Sequence, residues 1–104
     1  MTIEALAKEL DFDVEDVELV LEAFLETAEQ NIEKLKTAAK AEDFETMHAT
    51  AHTIKGSASN LLLETIVDNA LYVEKSANEK KHIDYSSSIS KIEDALEAVK
   101  TKMQ

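Results

Sequence analysis

The 104-residue chain contains no cysteine, no proline, no tryptophan and one glycine, and aromatic residues make up 5% of it. The absence of cysteine excludes disulfides and thiolate metal ligands. No apolar run approaches the roughly 18 residues that a membrane-spanning helix requires. Residues 1–5, Met-Thr-Ile-Glu-Ala, form neither a basic segment nor an apolar one. This start predicts no signal peptide and, by default, a cytoplasmic protein.

Acidic residues outnumber basic residues by 22 to 11, so the formal net charge is -11. A charge of this sign repels nucleic acid and anionic membranes, and we therefore expect neither as a partner. The acidic residues are unevenly distributed, because residues 46–63 contain none and have Lys55 as their single charged residue. A buried helix would exclude acidic residues in this way, and so would a surface kept free of negative charge to receive an anion.

Ala, Leu, Glu and Lys are abundant, a composition typical of helices. Apolar residues recur at steps of three and four along four stretches of the chain, which predicts four amphipathic helices. Their predicted apolar seams are Val14, Val17, Leu21, Phe24, Ala28, Ile32, Leu35 and Ala39; Phe44, Met47, Ala51, Ile54, Ala58 and Leu61; Ile66, Ala70, Val73 and Ala77; and Tyr85, Ile89, Ile92, Leu96, Val99 and Met103.

The connections between these helices are short and polar, at residues 40–42, near Glu64 and at residues 76–84. Short connections place neighbouring helices antiparallel to one another. The predicted fold class is therefore all-α, an antiparallel up-down-up-down four-helix bundle. A chain of this length has room for one core, so residues 1–104 are expected to form a single domain.

Local signals predict where the helices begin. Asp13 and Asp43 are the predicted N-caps of the first two bundle helices, and Thr65 is predicted to open the third. A short leading helix over residues 3–10 is expected to cap one end of the bundle, with Phe12 tucked under it.

The single glycine, Gly56, lies inside the second predicted bundle helix, where glycine costs roughly 1 kcal/mol relative to alanine. At 100° per residue, His52 points roughly 130° away from the apolar seam and Gly56 roughly 170° away. Both are therefore predicted to be exposed, with Lys55 and His48 at the flanks of the seam. The missing side chain at Gly56 would let another macromolecule reach the imidazole of His52.

A resemblance to a known family is carried by residues 51–61, which read Ala-His-Thr-Ile-Lys-Gly-Ser-Ala-Ser-Asn-Leu. This segment closely resembles the signature of histidine-containing phosphotransfer (HPt) domains of two-component phosphorelays. The resemblance extends over the whole chain, since those domains are bundles of about this length with the histidine on the second bundle helix. One departure is Leu62, ten residues after His52, where members usually have a small residue, commonly glycine.

The resemblance implies that His52 accepts a phosphoryl group from a receiver-domain aspartate and passes it to another receiver domain. Lys55 would stabilise the charge of the phosphoryl group, and Gly56 would give access. Glu74 could hydrogen-bond Nδ1 of His52 and orient the ring; alternatively, it is an ordinary surface carboxylate. The resemblance implies a phosphocarrier and not an enzyme. This agrees with the lack of an ATP-binding motif, without which the chain cannot phosphorylate itself from ATP.

The same resemblance predicts the partners. We expect receiver domains of response regulators and hybrid histidine kinases, and a monomeric protein. No metal and no cofactor are expected on this chain, since the receiver would supply Mg²⁺. The docking patch is predicted to consist of small or uncharged residues around His52: Ala49, Thr53, Ser59, Asn60 and Leu63. Leu63 is its predicted apolar anchor.

The residues leave three alternatives to this function. His48 and His52 have a spacing that suits two zinc ligands, but Ala49 stands where zinc proteases have glutamate, and no third ligand is evident. A non-phosphorylated helical scaffold would have no reason to keep Gly56 beside an exposed histidine. The chain could also be the phosphoacceptor domain of a chemotaxis-type histidine kinase, phosphorylated by a kinase domain of the same protein.

Overall fold

A computed structural model describes residues 2–103, and these residues form five α-helices and no strand. Four of the helices pack side by side in chain order, with the last one against the first, and the leading short helix packs on the longest. The all-α four-helix bundle with a short N-terminal helix is therefore confirmed. The helices are α1, Ile3–Leu10; α2, Val14–Lys40; α3, Phe44–Asn60; α4, Glu64–Asn78; and α5, Ser86–Lys102.

The interior is formed by one apolar face of each helix, as the spacing predicted. The largest fully buried side chains belong to these faces: Val17, Leu21, Leu35, Met47, Ile54, Ile66, Val73 and Ile92. Val14 is an exception, because it is the first residue of α2 and is 36% exposed. Among the described residues, no helix is both long and apolar enough to cross a membrane.

Two of the predicted N-caps stand where the sequence placed them. The Asp43 side chain accepts a hydrogen bond from the backbone N–H of Thr46 at 3.2 Å, which caps α3. Asp13 is the N-cap residue of α2, although its side chain forms no capping hydrogen bond in the part of the chain that the structure describes. The leading helix is capped by Thr2, whose hydroxyl oxygen accepts from the N–H of Ala5 at 3.0 Å.

The predicted start of the third bundle helix at Thr65 is wrong. Helix α4 begins at Glu64 and its N-cap residue is Leu63. The carbonyl oxygen of Leu63 already accepts the first helical bond, from the N–H of Val67 at 3.0 Å. Thr65 therefore lies inside the first turn of α4. The connection between α3 and α4 is residues 61–63, so the polar residues Glu64 and Thr65 belong to the helix and not to the connection.

Four non-glycine residues at or after helix ends have left-handed backbone conformations: Asp11, Glu42, Leu62 and Lys80. At Leu62, φ is 59°, and its N–H donates to the carbonyl oxygen of Ser59 at 3.1 Å. The N–H of Leu63 donates to Ala58 at 3.1 Å, which completes a Schellman motif. A left-handed conformation costs an L-residue roughly 1–2 kcal/mol, which explains why glycine suits this position. The departure at Leu62 thus leaves the helix end in place and adds strain to it.

The expected burial of Phe12 beneath the leading helix is wrong. Helix α1 does cover part of α2, and it buries Leu6 and Ala7 there. The chain then turns through the left-handed Asp11, and the ring of Phe12 is left 50% exposed. Phe12 lies instead on the rim of a groove that it shares with Val20 of α2.

Candidate functional site

Helix α3 holds His52 on the outside of the bundle. Its neighbours Ala51 and Ile54 are buried in the core, with exposed fractions of 0% and 1%. The side chain of His52 is 66% exposed. The imidazole therefore points toward solvent, in the direction that the helical periodicity predicted.

Glu74 of α4 faces the inner edge of this imidazole. Its Oε2 lies 2.5 Å from Nδ1 of His52, and its Oε1 accepts a hydrogen bond from Nζ of Lys55 at 2.7 Å. The Glu74 side chain is 10% exposed, so it is not an ordinary surface carboxylate. The structure thus brings together three of the residues that the sequence singled out.

The pKa of Glu74 has opposing causes. Burial raises it, whereas hydrogen bonds from Lys55 and His52, together with the charges of both, lower it to a net value below the usual 4.5. Glu74 is therefore a carboxylate near neutral pH, and a carboxylate can only accept hydrogen bonds. Nδ1 of His52 must carry the proton in this contact, which leaves the lone pair of the neutral ring on Nε2.

Lys55, the cation predicted to stand one turn from the histidine, forms an ion pair in the structure. Its side chain is 26% exposed, and its ammonium group is paired with Glu74. Residues 46–63 contain no acid, yet α4 brings a carboxylate to the same place. The lack of acidic residues along α3 is therefore not a lack of negative charge around His52.

A second histidine of α3 contacts the same residue of α4. Nδ1 of His48 lies 3.2 Å from the backbone carbonyl oxygen of Glu74, and the side chain is partly buried. This is the seam-edge position that the sequence predicted for His48. Within residues 2–103, no group of three His, Asp or Glu side chains is placed to hold a metal ion, so the two-histidine zinc hypothesis has no third ligand there.

Gly56 lies one turn beyond His52 and faces open space. Apart from its chain neighbours and the nearby backbone of its own helix, a Cβ atom at this position would meet no described atom within 4 Å. The backbone of Gly56 is helical and its φ is not positive, so no conformational demand explains the glycine. The surface beside the imidazole is therefore unobstructed, as expected for a site that another macromolecule approaches.

Four of the five residues predicted for the docking patch are exposed on α3: Ala49, Thr53, Ser59 and Asn60. Leu63, the predicted apolar anchor, is partly buried and packs against the core. The exposed leucine of this turn is Leu62, at 40%. The exposed surface around His52 is therefore formed by small and uncharged side chains, and Leu62 is the exposed leucine beyond it.

A groove of about 510 Å³ between α2 and α3 continues this surface, and the sequence did not predict it. Ser57 and Asn60 line one side of the groove, and Phe12 and Val20 lie on the other. Val20 is 40% exposed and stands outside the predicted seam of α2. An apolar residue such as Val20, outside the predicted apolar seam of its helix, is the sequence signal that could have predicted this groove.

An exposed histidine on the second helix of an antiparallel four-helix bundle is the arrangement of a helical histidine phosphotransfer domain. The family model described as Hpt domain matches residues 19–102, and the chain belongs to this family. HPt domains are phosphotransfer carriers of two-component phosphorelays, are not kinases, and interact with receiver domains.

A solved structure shows the same fold. The chain is similar to histidine-containing phosphotransfer protein B from Pseudomonas aeruginosa PAO1, with a TM-score of 0.79 and 23% sequence identity. The match covers 96% of this chain and 87% of that chain. Comparison with curated protein sequences gives no match.

Proposed function

We propose that His52 accepts a phosphoryl group from the aspartyl phosphate of a receiver domain and passes it to the aspartate of another receiver. The observation that carries this proposal is the contact of 2.5 Å between Nδ1 of His52 and Oε2 of Glu74. It fixes the proton on the inner nitrogen of a ring whose side chain is 66% exposed. Nε2 is then an unprotonated nucleophile on the accessible edge of that ring.

The transfer exchanges one bond for another at phosphorus. The lone pair of Nε2 attacks in line, the N–P bond forms as the P–O bond to the aspartyl carboxylate breaks, and that carboxylate leaves with the electron pair. Nδ1 of His52 keeps its proton, and the carboxylate of Glu74 balances the positive charge that the ring acquires. Transfer to the second receiver is the same exchange in reverse.

Such a step depends on positioning and on charge neutralisation. Lys55 stands one turn from His52 and supplies positive charge beside the site. In the unphosphorylated protein its ammonium group pairs with Glu74, at 2.7 Å. The incoming phosphoryl group is a second anion that competes for this ammonium group. Lys55 thus acts on Glu74 before transfer and on the phosphoryl group after it.

The receiver docks, in this proposal, on the exposed side of α3 around Gly56 and on the groove beside it. The small residues of α3 allow close approach: Ala49, Thr53, Ser59 and Asn60. Phe12 and Val20 on the far side of the groove add the apolar contact first assigned to Leu63. The receiver supplies Mg²⁺ and its own catalytic groups, so this chain carries no cofactor, and we expect it to act as a monomer.

The test is to mix the protein with a receiver domain that carries a radioactive phosphoryl group on its aspartate. We expect label on this chain that is stable to alkali and labile to acid, as a phosphorus–nitrogen bond requires. His52→Gln should accept none, whereas His82→Gln, which removes an exposed histidine elsewhere, should accept label at the wild-type rate. Labelling of His52→Gln would contradict the site. Labelling by a kinase domain and ATP, but by no receiver, would favour the chemotaxis-type alternative.

A further inference from the structure

Three side chains of α3 converge on a single residue of α4. His48, His52 and Lys55 stand at positions i, i+4 and i+7, and all three contact Glu74. His52 and Lys55 contact its two carboxylate oxygens, whereas His48 contacts its backbone carbonyl oxygen. The proposed function uses both carboxylate contacts and leaves His48 without a role.

We propose that His48 is a positioning residue, which holds the turn of α4 that carries Glu74 so that Oε2 stays at Nδ1 of His52. This inference rests on the proposed function, in which His52 is the nucleophile. His48 touches neither phosphorus nor the receiver in this scheme. It acts only through Glu74.

The atoms of the contact define how His48 must be protonated. A carbonyl oxygen only accepts hydrogen bonds, so Nδ1 of His48 is the donor across the 3.2 Å contact with Glu74. The carbonyl oxygen has two lone pairs and can accept this bond in addition to the bond within its own helix. His48 is therefore the Nδ1–H tautomer in this structure.

The contact matters because it joins a side chain of α3 to the backbone of α4. The packed apolar faces set the overall register of α3 and α4. A hydrogen bond to a backbone atom adds a directional restraint on the one turn of α4 that carries Glu74. The contact of Glu74 with His52 is 2.5 Å long. Hydrogen bonds weaken steeply with distance and angle, so a displacement of about 1 Å would remove the orientation of the ring.

The first test needs no substitution. The nitrogen-15 chemical shifts of the imidazole rings in the unphosphorylated wild-type protein report which ring nitrogen carries the proton. We expect His48 to be predominantly the Nδ1–H tautomer. A predominant Nε2–H tautomer would overturn the proposal, because that ring has no proton to donate to the carbonyl oxygen of Glu74.

The second test compares two substitutions at one position. His48→Asn keeps an N–H donor close to the place of Nδ1, whereas His48→Leu removes it and keeps a branched side chain. We expect His48→Leu to lower the Nδ1–H fraction of His52 and to slow phosphoryl acceptance about tenfold, since orientation of a catalytic group is worth this much or more. His48→Asn should restore both within about threefold.

The kinetic constants separate positioning from docking and from loss of structure. The rate constant for acceptance should fall in His48→Leu while the KM for the receiver stays within about twofold, because His48 is not part of the docking surface. Unchanged His52 tautomer and rate in a folded His48→Leu would overturn the proposal, as would equal losses in His48→Asn and His48→Leu. If His48→Leu does not fold, His48→Asn must still retain the wild-type His52 tautomer.

These measurements distinguish the inference from the function on which it rests. If wild-type protein takes no phosphate from any receiver, the proposed function fails, and the His52 tautomer in His48→Leu and in His48→Asn still decides whether His48 positions Glu74. If wild-type protein takes phosphate and His48→Leu takes it equally fast, the function stands and the inference fails.

Discussion

The carboxylate of Glu74 lies 2.5 Å from Nδ1 of His52, although the two residues are 22 positions apart in the chain. The contact crosses the α3–α4 interface, and these two helices are joined by three residues, 61–63. It places the ring proton of an exposed imidazole on Nδ1, because a carboxylate only accepts hydrogen bonds. In the proposed function, this contact is what leaves Nε2 of His52 free to act as the nucleophile.

Glu74 should make the stability of the fold depend on pH. Burial raises the pKa of Glu74, but the contacts with Lys55 and His52 lower it further, to a net value below 4.5 in the folded protein. The ionised carboxylate therefore stabilises the fold above that pH. This contribution is lost as the pH falls below 4.5 toward the lowered value. We expect Glu74→Gln to be less stable than wild type near pH 7, with a difference that shrinks in acid.

Urea denaturation between pH 7 and pH 3 measures this difference. Glu64→Gln, which removes an exposed carboxylate from the same helix, controls for the general loss of one negative charge. A Glu74→Gln deficit that stays constant through this range would contradict the assigned cause.

Lys55→Met should raise the pKa of Glu74. It removes the strongest of the contacts that lower that pKa, while the burial that raises it remains. In the proposed function Lys55 also stabilises the charge of the transferred group, so phosphoryl acceptance should slow by about a hundredfold in Lys55→Met. Carbon-13 titration of the Glu74 carboxyl group measures the first effect, and Lys75→Met, at an exposed lysine next to Glu74, is the control. An unchanged pKa in Lys55→Met would show that the ion pair is absent in solution.

Gly56→Ala should raise the free energy of unfolding by about 0.5–1 kcal/mol, because alanine is the better helix former and a Cβ meets no described neighbour. Gly56→Leu should fold equally well and raise the KM for the phosphorylated receiver, since its side chain occupies the approach to His52. Chemical denaturation and transfer kinetics measure the two effects. Wild-type KM in Gly56→Leu would place the receiver elsewhere.

Leu62→Gly should stabilise the protein by about 0.5–1 kcal/mol. The substitution relieves a left-handed backbone at φ 59°, and because Leu62 is 40% exposed, only part of a leucine's burial energy is lost in exchange. Lys80→Gly is the matched control, because Lys80 has a φ of 55° after α4. A stabilised Lys80→Gly beside a destabilised Leu62→Gly would show that packing of Leu62 outweighs the strain. Thermal unfolding of both variants checks this.

The helical content, the bundle and the outward direction of His52 follow from the sequence. Residues three or four positions apart lie on the same side of a helix, because the backbone geometry of the helix sets this spacing. Ala51 and Ile54 therefore point inward and His52 outward wherever α3 packs. Turns were harder to predict. Thr65 and Phe12 were misplaced because the length and the left-handed residues of each connection depend on how the two joined helices meet.

The functional site also depends partly on the sequence of one helix and partly on the tertiary structure. Periodicity determined that Gly56 and His52 share the exposed side of α3, and resemblance suggested Glu74. The tertiary structure decided that the ammonium group of Lys55 pairs with Glu74, and that His48 donates to the backbone of that residue. These contacts join residues 19 to 26 positions apart, so they depend on the rotation and height of α4 against α3. That register is set by the packing of whole helix faces, which no local pattern encodes.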